Sequence, residues 1–195
     1  MTPQDAIRLQ KEIAKKVVAT DDFGSINRIC GVDVAYAGDT ACCSAVVMEG
    51  GSVAESADSQ TRIKHPYVPG FLMLREAEPV LRTLAMLKGG YDLLLVDGNG
   101  RLHPRKCGLA CFLGVTLDKP AIGVAKSRLC GTVRPDGFVE LASEILGYAV
   151  SKKMYVSVGH RTSLETAIAI VQKLGTEPLR LADRNSKAQK RRKGL

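Results

Sequence analysis

The sequence predicts an α/β protein whose core is a mixed sheet of five strands flanked by helices on both faces. Three strand patterns come first, and Gly50-Gly51 between the second and third is a typical two-residue hairpin turn. Helix and strand patterns then alternate. Because antiparallel strands followed by strand–helix–strand units produce a mixed sheet covered on both faces, this order predicts the α/β class.

The individual elements follow from local patterns along the chain. Helices are predicted at 3–19, 79–88, 106–117 and 163–174. Strands are predicted at 28–36, 42–49, 52–60, 92–96, 121–125 and 155–158, with smaller strand-like pieces in 132–150. The second helix is expected to begin at Pro79, because proline is disfavoured deep inside a helix. Glu76 would then lie at or just before the N-terminus of that helix.

Length and composition indicate one domain with an aliphatic core. The 195 residues are 45% hydrophobic and 5% aromatic and include no Trp. No signal peptide is visible, and no apolar run approaches the roughly 20 residues that span a bilayer, so a soluble cytoplasmic protein is expected. The six cysteines include no CxxC pair and mostly lie in apolar segments, which predicts reduced core residues rather than zinc ligands or disulfides.

The positive charge is concentrated at the C-terminal end. The net charge is +8, and residues 184–193 contain six Lys and Arg and no acidic residue, which leaves about +2 for the rest. This pattern predicts a single domain over 1–183 and a basic, disordered tail over 184–195. Such a tail would raise the affinity for any polyanion without sequence preference.

Two apolar runs each end on an aspartate, Asp33 in 29–34 and Asp97 in 93–98. A carboxylate among strand-forming residues is costly to bury unless a cation compensates it. Two of them at the ends of neighbouring strands are suited to divalent metal ions, although each alone is equally suited to capping a strand or turn. A right-handed crossover between the first and fourth strands would place them side by side, which is the arrangement of the ribonuclease H-like fold.

Several short blocks occur in a fixed order over about residues 28–185. They are residues 31–36, 66–72 with 75–76, 96–100, 103–105, 108–110, 123–129 and 159–161. In composition and order these blocks resemble those of the endonuclease V family, whose members nick nucleic acid near deaminated adenine, or hypoxanthine.

The resemblance implies an acidic triad of Asp33, Glu76 and Asp97. The two aspartates would hold catalytic Mg²⁺, for which Mn²⁺ is expected to substitute, and Glu76 would complete the metal site directly or through a water. Hydrolysis of a phosphodiester needs an activated water and a stabilised leaving oxygen, which two metal ions can supply. The alternative for Glu76 is an acid that interacts with the helix dipole.

Three further residues match family positions near the reaction centre. His160 would bind a second ion or orient water, and His103 would position a phosphate or the metal waters. Lys126 would lie near the scissile phosphate. The alternatives are an edge histidine for His160, a loop-fixing hydrogen bond for His103 and a solvated strand-end lysine for Lys126.

The resemblance also implies a wedge and a pocket for the extruded base. Two prolines stiffen the wedge and present Tyr67 to a base step, unless this ring packs on the adjacent helix. The glycines of the pocket would let backbone groups approach the base edge. The wedge comprises Pro66, Tyr67, Val68 and Pro69. The pocket comprises Leu72, Gly98, Gly100, Gly108, Leu109, Ser127 and Leu129.

The sequence therefore predicts a monomeric, metal-dependent deoxyinosine 3′-endonuclease of DNA repair. It would nick the second phosphodiester 3′ of the lesion and leave a 3′-hydroxyl and a 5′-phosphate. The alternatives are an endoribonuclease that cuts inosine-containing RNA with the same site, and a non-catalytic nucleic-acid binder. Asn99 replaces the histidine of the commoner bacterial pattern, which leaves the choice between DNA and RNA open.

Overall fold

The structure is a computed structural model that describes residues 2–192. In this part of the chain, nine strands form one sheet in the order β3-β2-β1-β4-β5-β9-β8-β7-β6. The strands are β1 Arg28–Ala37, β2 Thr40–Glu49, β3 Ser52–Arg62, β4 Leu93–Asp97, β5 Ala121–Ala125, β6 Thr132–Val133, β7 Phe138–Leu141, β8 Glu144–Ser151 and β9 Met154–His160. The helices are α1 Pro3–Lys16, α2 Leu72–Leu84, α3 Leu109–Leu117, α4 Leu164–Leu174 and α5 Glu177–Arg192.

The mixed sheet is confirmed, but the predicted count of five strands is too small. The first five predicted strands are present as β1 to β5 and are adjacent, and the predicted strand at 155–158 is β9. Strand β9 pairs antiparallel with β5, and the strand-like pieces of 132–150 continue the sheet as β6, β7 and β8. The count was low because these strands have weak local patterns and are defined by successive antiparallel pairings of β9 with β8, β8 with β7 and β7 with β6.

The parallel register of β1, β4 and β5 determines where the site can form. Val32 pairs with Val96, and Asp97 pairs with Val124. Asp33 follows Val32 directly, so it lies where the parallel pairing of β1 with β4 ends, beside Asp97 at the carboxyl end of β4. Ligands of open α/β sheets typically bind outside this edge.

Helices cover both faces of the sheet, as the alternation of side chains requires. Leu94 and Val96 pack with residues of α2 and α3 on one face. Leu93 and Leu95 pack with residues of α4 and α5 on the other face. Each buried leucine contributes about 1.5–3 kcal/mol, so β4 is held firmly between the two helix layers.

Helix α2 begins seven residues earlier than predicted. It starts at Leu72 and contains Pro79 in its interior. A proline there costs about 3 kcal/mol, but Met73 and Val80 of the same helix are buried in the core and offset that cost. Glu76 therefore lies inside the helix rather than at its N-terminus.

The predicted disordered tail is wrong for residues 184–192, which form the second half of α5. This helix packs on β1 and β2. Ser186 and Gln189 face inwards, and Gln189 Nε2 donates a hydrogen bond of 3.0 Å to the carbonyl oxygen of Cys43. The inward face is formed by small and polar residues, so composition alone suggested a solvated segment. Residues 193–195 of the predicted tail lie outside the described residues.

Two predictions from composition can be compared with the structure. All six cysteines are free, and five of them are buried, as expected for reduced core residues. Among residues 2–192, no helix is both long and apolar enough to cross a bilayer.

The close approach of α5 to β1 depends on Gly31. A Cβ atom at this position would overlap the backbone of Pro178 and Leu179. We expect Gly31→Ala to lower the free energy of unfolding by about 1–3 kcal/mol, measured by urea denaturation, because backbone atoms must shift. Gly24→Ala is the matched control, since nothing lies within 4 Å of its added Cβ. Equal stability of the two variants would contradict the tight docking of α5.

Candidate active site

Three carboxylates converge at the carboxyl edge of the parallel strands. One oxygen each of Asp33, Asp97 and Asp183 lies within 4.8 Å of the others. Asp33 comes from β1, Asp97 from β4 and Asp183 from α5. The predicted pair is therefore brought together, and α5 adds a third carboxylate that the sequence analysis missed.

Asp33 is the most buried member of this acidic cluster, with 7% of its surface exposed. Ser186 Oγ donates a hydrogen bond of 2.6 Å to Asp33 Oδ2. Burial and the adjacent carboxylate of Asp97 raise the pKa of Asp33 to about 7, against the opposing effect of Ser186. The ionised form is thus poorly compensated by the protein itself.

Lys126 supplies one positive charge to the cluster. It directly follows β5, and its Nζ lies 2.6 Å from Asp97 Oδ2 and 3.2 Å from Asp183 Oδ1. Partial burial opposes its charge, but the carboxylates hold the pKa of Lys126 above its usual value. Its side chain is 67% exposed, so it can also reach an incoming phosphate.

The cluster fits a hard divalent cation. Three carboxylates offer the oxygen ligands that Mg²⁺ and Mn²⁺ prefer. Lys126 pairs with Asp97 and Asp183, and the exposed Lys187 lies 2.7 Å from Asp183 Oδ2. Within residues 2–192, no cation forms an ion pair with Asp33. A divalent ion among the three carboxylates would remove the repulsion that raises the pKa of Asp33.

Glu76 lies close to the cluster but outside the three-carboxylate group. It is carried by α2, on the other face of the sheet, and is 8% exposed. Tyr36 Oη donates a hydrogen bond of 2.5 Å to Glu76 Oε1. Burial, together with Asp97 and Asp33, raises the pKa of Glu76 to about 8. The structure thus groups Asp183, rather than Glu76, with the two strand aspartates.

A narrow cavity of about 80 Å³, the base cavity, lies on the α2 and α3 side of this edge. Its lining includes Tyr67 of the predicted wedge and five residues of the predicted pocket, Leu72, Gly108, Leu109, Ser127 and Leu129. The other lining residues are Asn99, His103, Gln10, Gly70 and Met73. Tyr67 is 62% exposed at its mouth, as expected for a presented ring.

The predicted glycines do not offer free amide hydrogens to a base. Gly98 N donates to Val124 O at 3.1 Å, and Gly108 N donates to Gly100 O at 2.9 Å. Gly100 N donates to Ser157 Oγ at 2.9 Å, and Gly100 itself packs on Val158 rather than in the cavity. The amides are used in folding, so a ligand in the cavity would have to be bound by other groups.

Asn99 provides such a group. Its Oδ1 atom is buried and, among residues 2–192, has no hydrogen-bond partner. A buried acceptor without a partner costs about 1–3 kcal/mol. Because Asn99 lines the base cavity, a hydrogen-bond donor on a ligand in that cavity would be a suitable partner for it.

Residues 11–184 match the sequence model of the endonuclease V family. This chain belongs to the endonuclease V family. The endonuclease V of Thermofilum pendens is 47% identical to this chain over an alignment of 195 positions, which covers 91% of this chain and 84% of that protein.

Solved endonuclease V structures share the fold. The enzyme from Streptomyces avermitilis has a TM-score of 0.90 at 31% identity, with 100% of this chain and 95% of that chain covered. The catalytic domain of human endonuclease V gives 0.86 at 30% identity, with 97% and 96% covered. Ciona intestinalis endonuclease V, in complex with a DNA that contains an inosine followed by a ribo-adenosine, gives 0.84 at 27% identity, with 97% and 98% covered. The predicted ribonuclease H-like α/β class is confirmed.

The family resemblance implied that His160 lies near the metal site, but the structure places it far from the acidic cluster. His160 ends β9 and pairs with Ala121, at the opposite end of β5 from the acidic cluster. Its Nδ1 accepts a hydrogen bond of 3.2 Å from Val18 N, and its Nε2 lies 3.5 Å from Asp118 Oδ1. Because β9 is antiparallel to β5, its C-terminal residue must lie at the far edge.

His103 has the loop-fixing role that was its alternative. Its Nδ1 accepts a hydrogen bond from Arg105 N at 3.1 Å, and its Nε2 lies 3.0 Å from Gly70 O. Burial lowers the pKa of His103 to about 4, so the ring is neutral at pH 7. Both ring nitrogens are engaged, which leaves neither for a phosphate.

The carbonyl oxygen of Gly70 holds the wedge loop in place. Gly70 O also accepts hydrogen bonds from Gln10 Nε2 at 3.0 Å and from Arg105 Nη2 at 2.7 Å. Arg105 Nε donates in turn to Gln10 Oε1 at 2.5 Å. These contacts fix the end of the loop that carries Tyr67, and Gln10 of α1 helps to position that loop. Sequence patterns gave no signal for Gln10.

The raised pKa values predict a pH-dependent stability of the metal-free protein. The folded state keeps protons on Asp33 and Glu76 up to a pH of about 7 and 8, whereas the unfolded chain loses them near pH 4. Stability should therefore fall, by about 1–3 kcal/mol, as the pH rises from about 6.5 to about 8.5. The low pKa of His103 acts in the opposite direction, but only below about pH 6.5.

Urea denaturation in EDTA across this pH range measures the effect. Asp33→Asn should show a shallower decline, because one of the two titrating groups is removed. An unchanged slope in this variant, or a wild-type stability that rises with pH, would contradict the assignment.

Proposed function

We propose that this chain is a metal-dependent endonuclease that recognises hypoxanthine in DNA. It hydrolyses the second phosphodiester 3′ of the lesion and leaves a 3′-hydroxyl and a 5′-phosphate. The observation that carries the proposal is the position of the acidic cluster beside a narrow cavity bordered by the exposed ring of Tyr67. The inosine-containing DNA bound by Ciona intestinalis endonuclease V supports it.

Asp33, Asp97 and Asp183 would hold the metal, with Mg²⁺ as the expected ion and Mn²⁺ as a substitute. When bound, the metal activates a water and stabilises the charge of the leaving oxygen. Ser186 fixes the orientation of the Asp33 carboxylate through its hydrogen bond. Lys126, whose Nζ lies at the acidic cluster, would bind a non-bridging oxygen of the scissile phosphate.

Asn99 supports selection of hypoxanthine over adenine. Hypoxanthine carries a hydrogen on N1, whereas N1 of adenine is an acceptor. Oδ1 of Asn99 would accept that hydrogen and gain the partner it lacks. Adenine would set two acceptors against each other, and a site built to hydrogen-bond one group rejects an analogue that lacks it.

Inosine-containing RNA is the second candidate substrate. The DNA bound to the Ciona intestinalis enzyme carries a ribo-adenosine directly after the inosine. A 2′-hydroxyl is therefore accommodated at that position in a relative, and the same site in this chain would serve an RNA strand.

Nicking of matched DNA and RNA strands, each with one inosine, tests the proposal. With Mg²⁺ we expect a single cut at the second phosphodiester 3′ of the inosine, and none with EDTA or with adenine in place of inosine. Asp33→Asn and Asp97→Asn should abolish the cut, yet bind the lesion strand as well as the wild type, because cavity and wedge remain intact. Efficient nicking by either variant would contradict the metal assignment, and equal nicking of the adenine strand would contradict lesion recognition.

Tyr67 is expected to act as a wedge. Extruding a base costs a few kcal/mol, and an inserted aromatic ring recovers roughly 1–3 kcal/mol of stacking. Tyr67→Ala should therefore weaken binding to a duplex lesion by about tenfold to a hundredfold. The loss should be smaller for a lesion in a single strand. Equal losses on both substrates at one salt concentration would show that Tyr67 only packs the loop.

A further inference from the structure

A second cavity lies beside the acidic cluster, on the α5 side of the sheet. It has a volume of about 340 Å³, which is in the range of small-ligand pockets. Its floor is apolar and includes Val124, Met154 and Leu179. Its rim carries four cations, Lys126, Lys153, Arg180 and Lys187, and meets the acidic cluster at Asp97 and Asp183. We refer to it as the α5 cavity.

The α5 cavity and the base cavity are separated by the end of the sheet. Asp97 and Lys126 line the α5 cavity. Asn99 and Ser127, which follow them in the chain, line the base cavity. A strand that leaves the base cavity must therefore cross the edge where the acidic cluster lies before it reaches the α5 cavity.

Two of the rim cations are not committed to the acidic cluster. Lys153 lies in the turn between β8 and β9, and among the described residues no ion pair or hydrogen bond engages its side chain. Arg180 is paired with Glu177 in the same helix, with its own side chain 69% exposed. Such exposed pairs contribute little and exchange readily for another anion.

We propose that the α5 cavity binds the first nucleotide 3′ of the cleaved bond. Its sugar and base would lie on the apolar floor, and its 3′-phosphate would be bound by Lys153 and Arg180. The inference rests on the proposed function, in which one nucleotide separates the lesion from the cut. That nucleotide spans the edge of the sheet, the scissile phosphate lies at the acidic cluster, and the next nucleotide reaches the α5 cavity.

Binding of two single-stranded deoxyinosine probes in EDTA, measured by fluorescence anisotropy, tests this subsite. The short probe ends one nucleotide after the deoxyinosine. The long probe has two more nucleotides, so that the first nucleotide past the uncut bond carries a 3′-phosphodiester. Each exposed cation is worth a few-fold in affinity, so we expect the wild type to bind the long probe about tenfold more tightly.

The double variant Lys153→Ala, Arg180→Ala should lose most of this gain and bind the short probe like the wild type. Lys152→Ala is the matched control, because Lys152 is exposed in the same turn but does not line the α5 cavity. It should keep the gain.

Three results would overturn the subsite. First, the double variant could retain the tenfold gain. Second, it could lose affinity equally for both probes. Third, Lys152→Ala could lose as much of the gain as the double variant, which would show that the attraction is non-specific. Adenine versions of both probes separate this failure from that of the proposed function. If wild-type protein bound inosine and adenine probes equally, the proposed function would fail and the subsite with it. If the wild type preferred the inosine probes and the double variant kept the full gain for the long probe, only the subsite would be excluded.

Discussion

The convergence of three carboxylates at one edge of the sheet is the constraint on which the rest of the structure depends. Like charges this close, one of them nearly buried, are unfavourable unless cations compensate them. The parallel register of β1 and β4 aligns Asp33 with Asp97, and the docking of α5 adds Asp183 and Ser186. Gly31 permits that docking because any side chain there would overlap α5. The fold thus accepts a local electrostatic cost that a bound divalent cation would remove.

The two helix layers contribute different parts of the site around this edge. The layer of α2 and α3, with α1, encloses the base cavity, and hydrogen bonds to Gly70 O fix the loop that presents Tyr67. The layer of α5 supplies the third carboxylate and the floor of a second cavity. A nucleic-acid strand that crosses from one face to the other must pass the acidic cluster. Under the proposed function, the placement of the scissile bond would follow from the topology of the sheet.

Sequence patterns predicted the parts of this site that are local. The apolar runs before Asp33 and Asp97 predict buried strands, and the aspartates at their ends predicted the metal edge. Asp183, the last residue of the predicted domain, was missed because no helix was predicted there. The second half of α5 buries Ser186 and Gln189 rather than large apolar residues, so nothing in the pattern indicated that this segment folds back onto β1. The position of His160 depends on the antiparallel pairing of β9 with β5, and the role of Gln10 depends on contacts with residues 60 and 95 positions away. Local patterns contain no information about such long-range partners.

The central claim is that Asp33, Asp97 and Asp183 form the metal site. Anomalous diffraction from a crystal soaked in Mn²⁺ tests it most directly, because the signal locates the ion without any assumption about activity. We predict an anomalous peak between the three aspartates, about 2 Å from their carboxylate oxygens. A well-occupied peak elsewhere on the protein, with the three carboxylates free of metal, would contradict it.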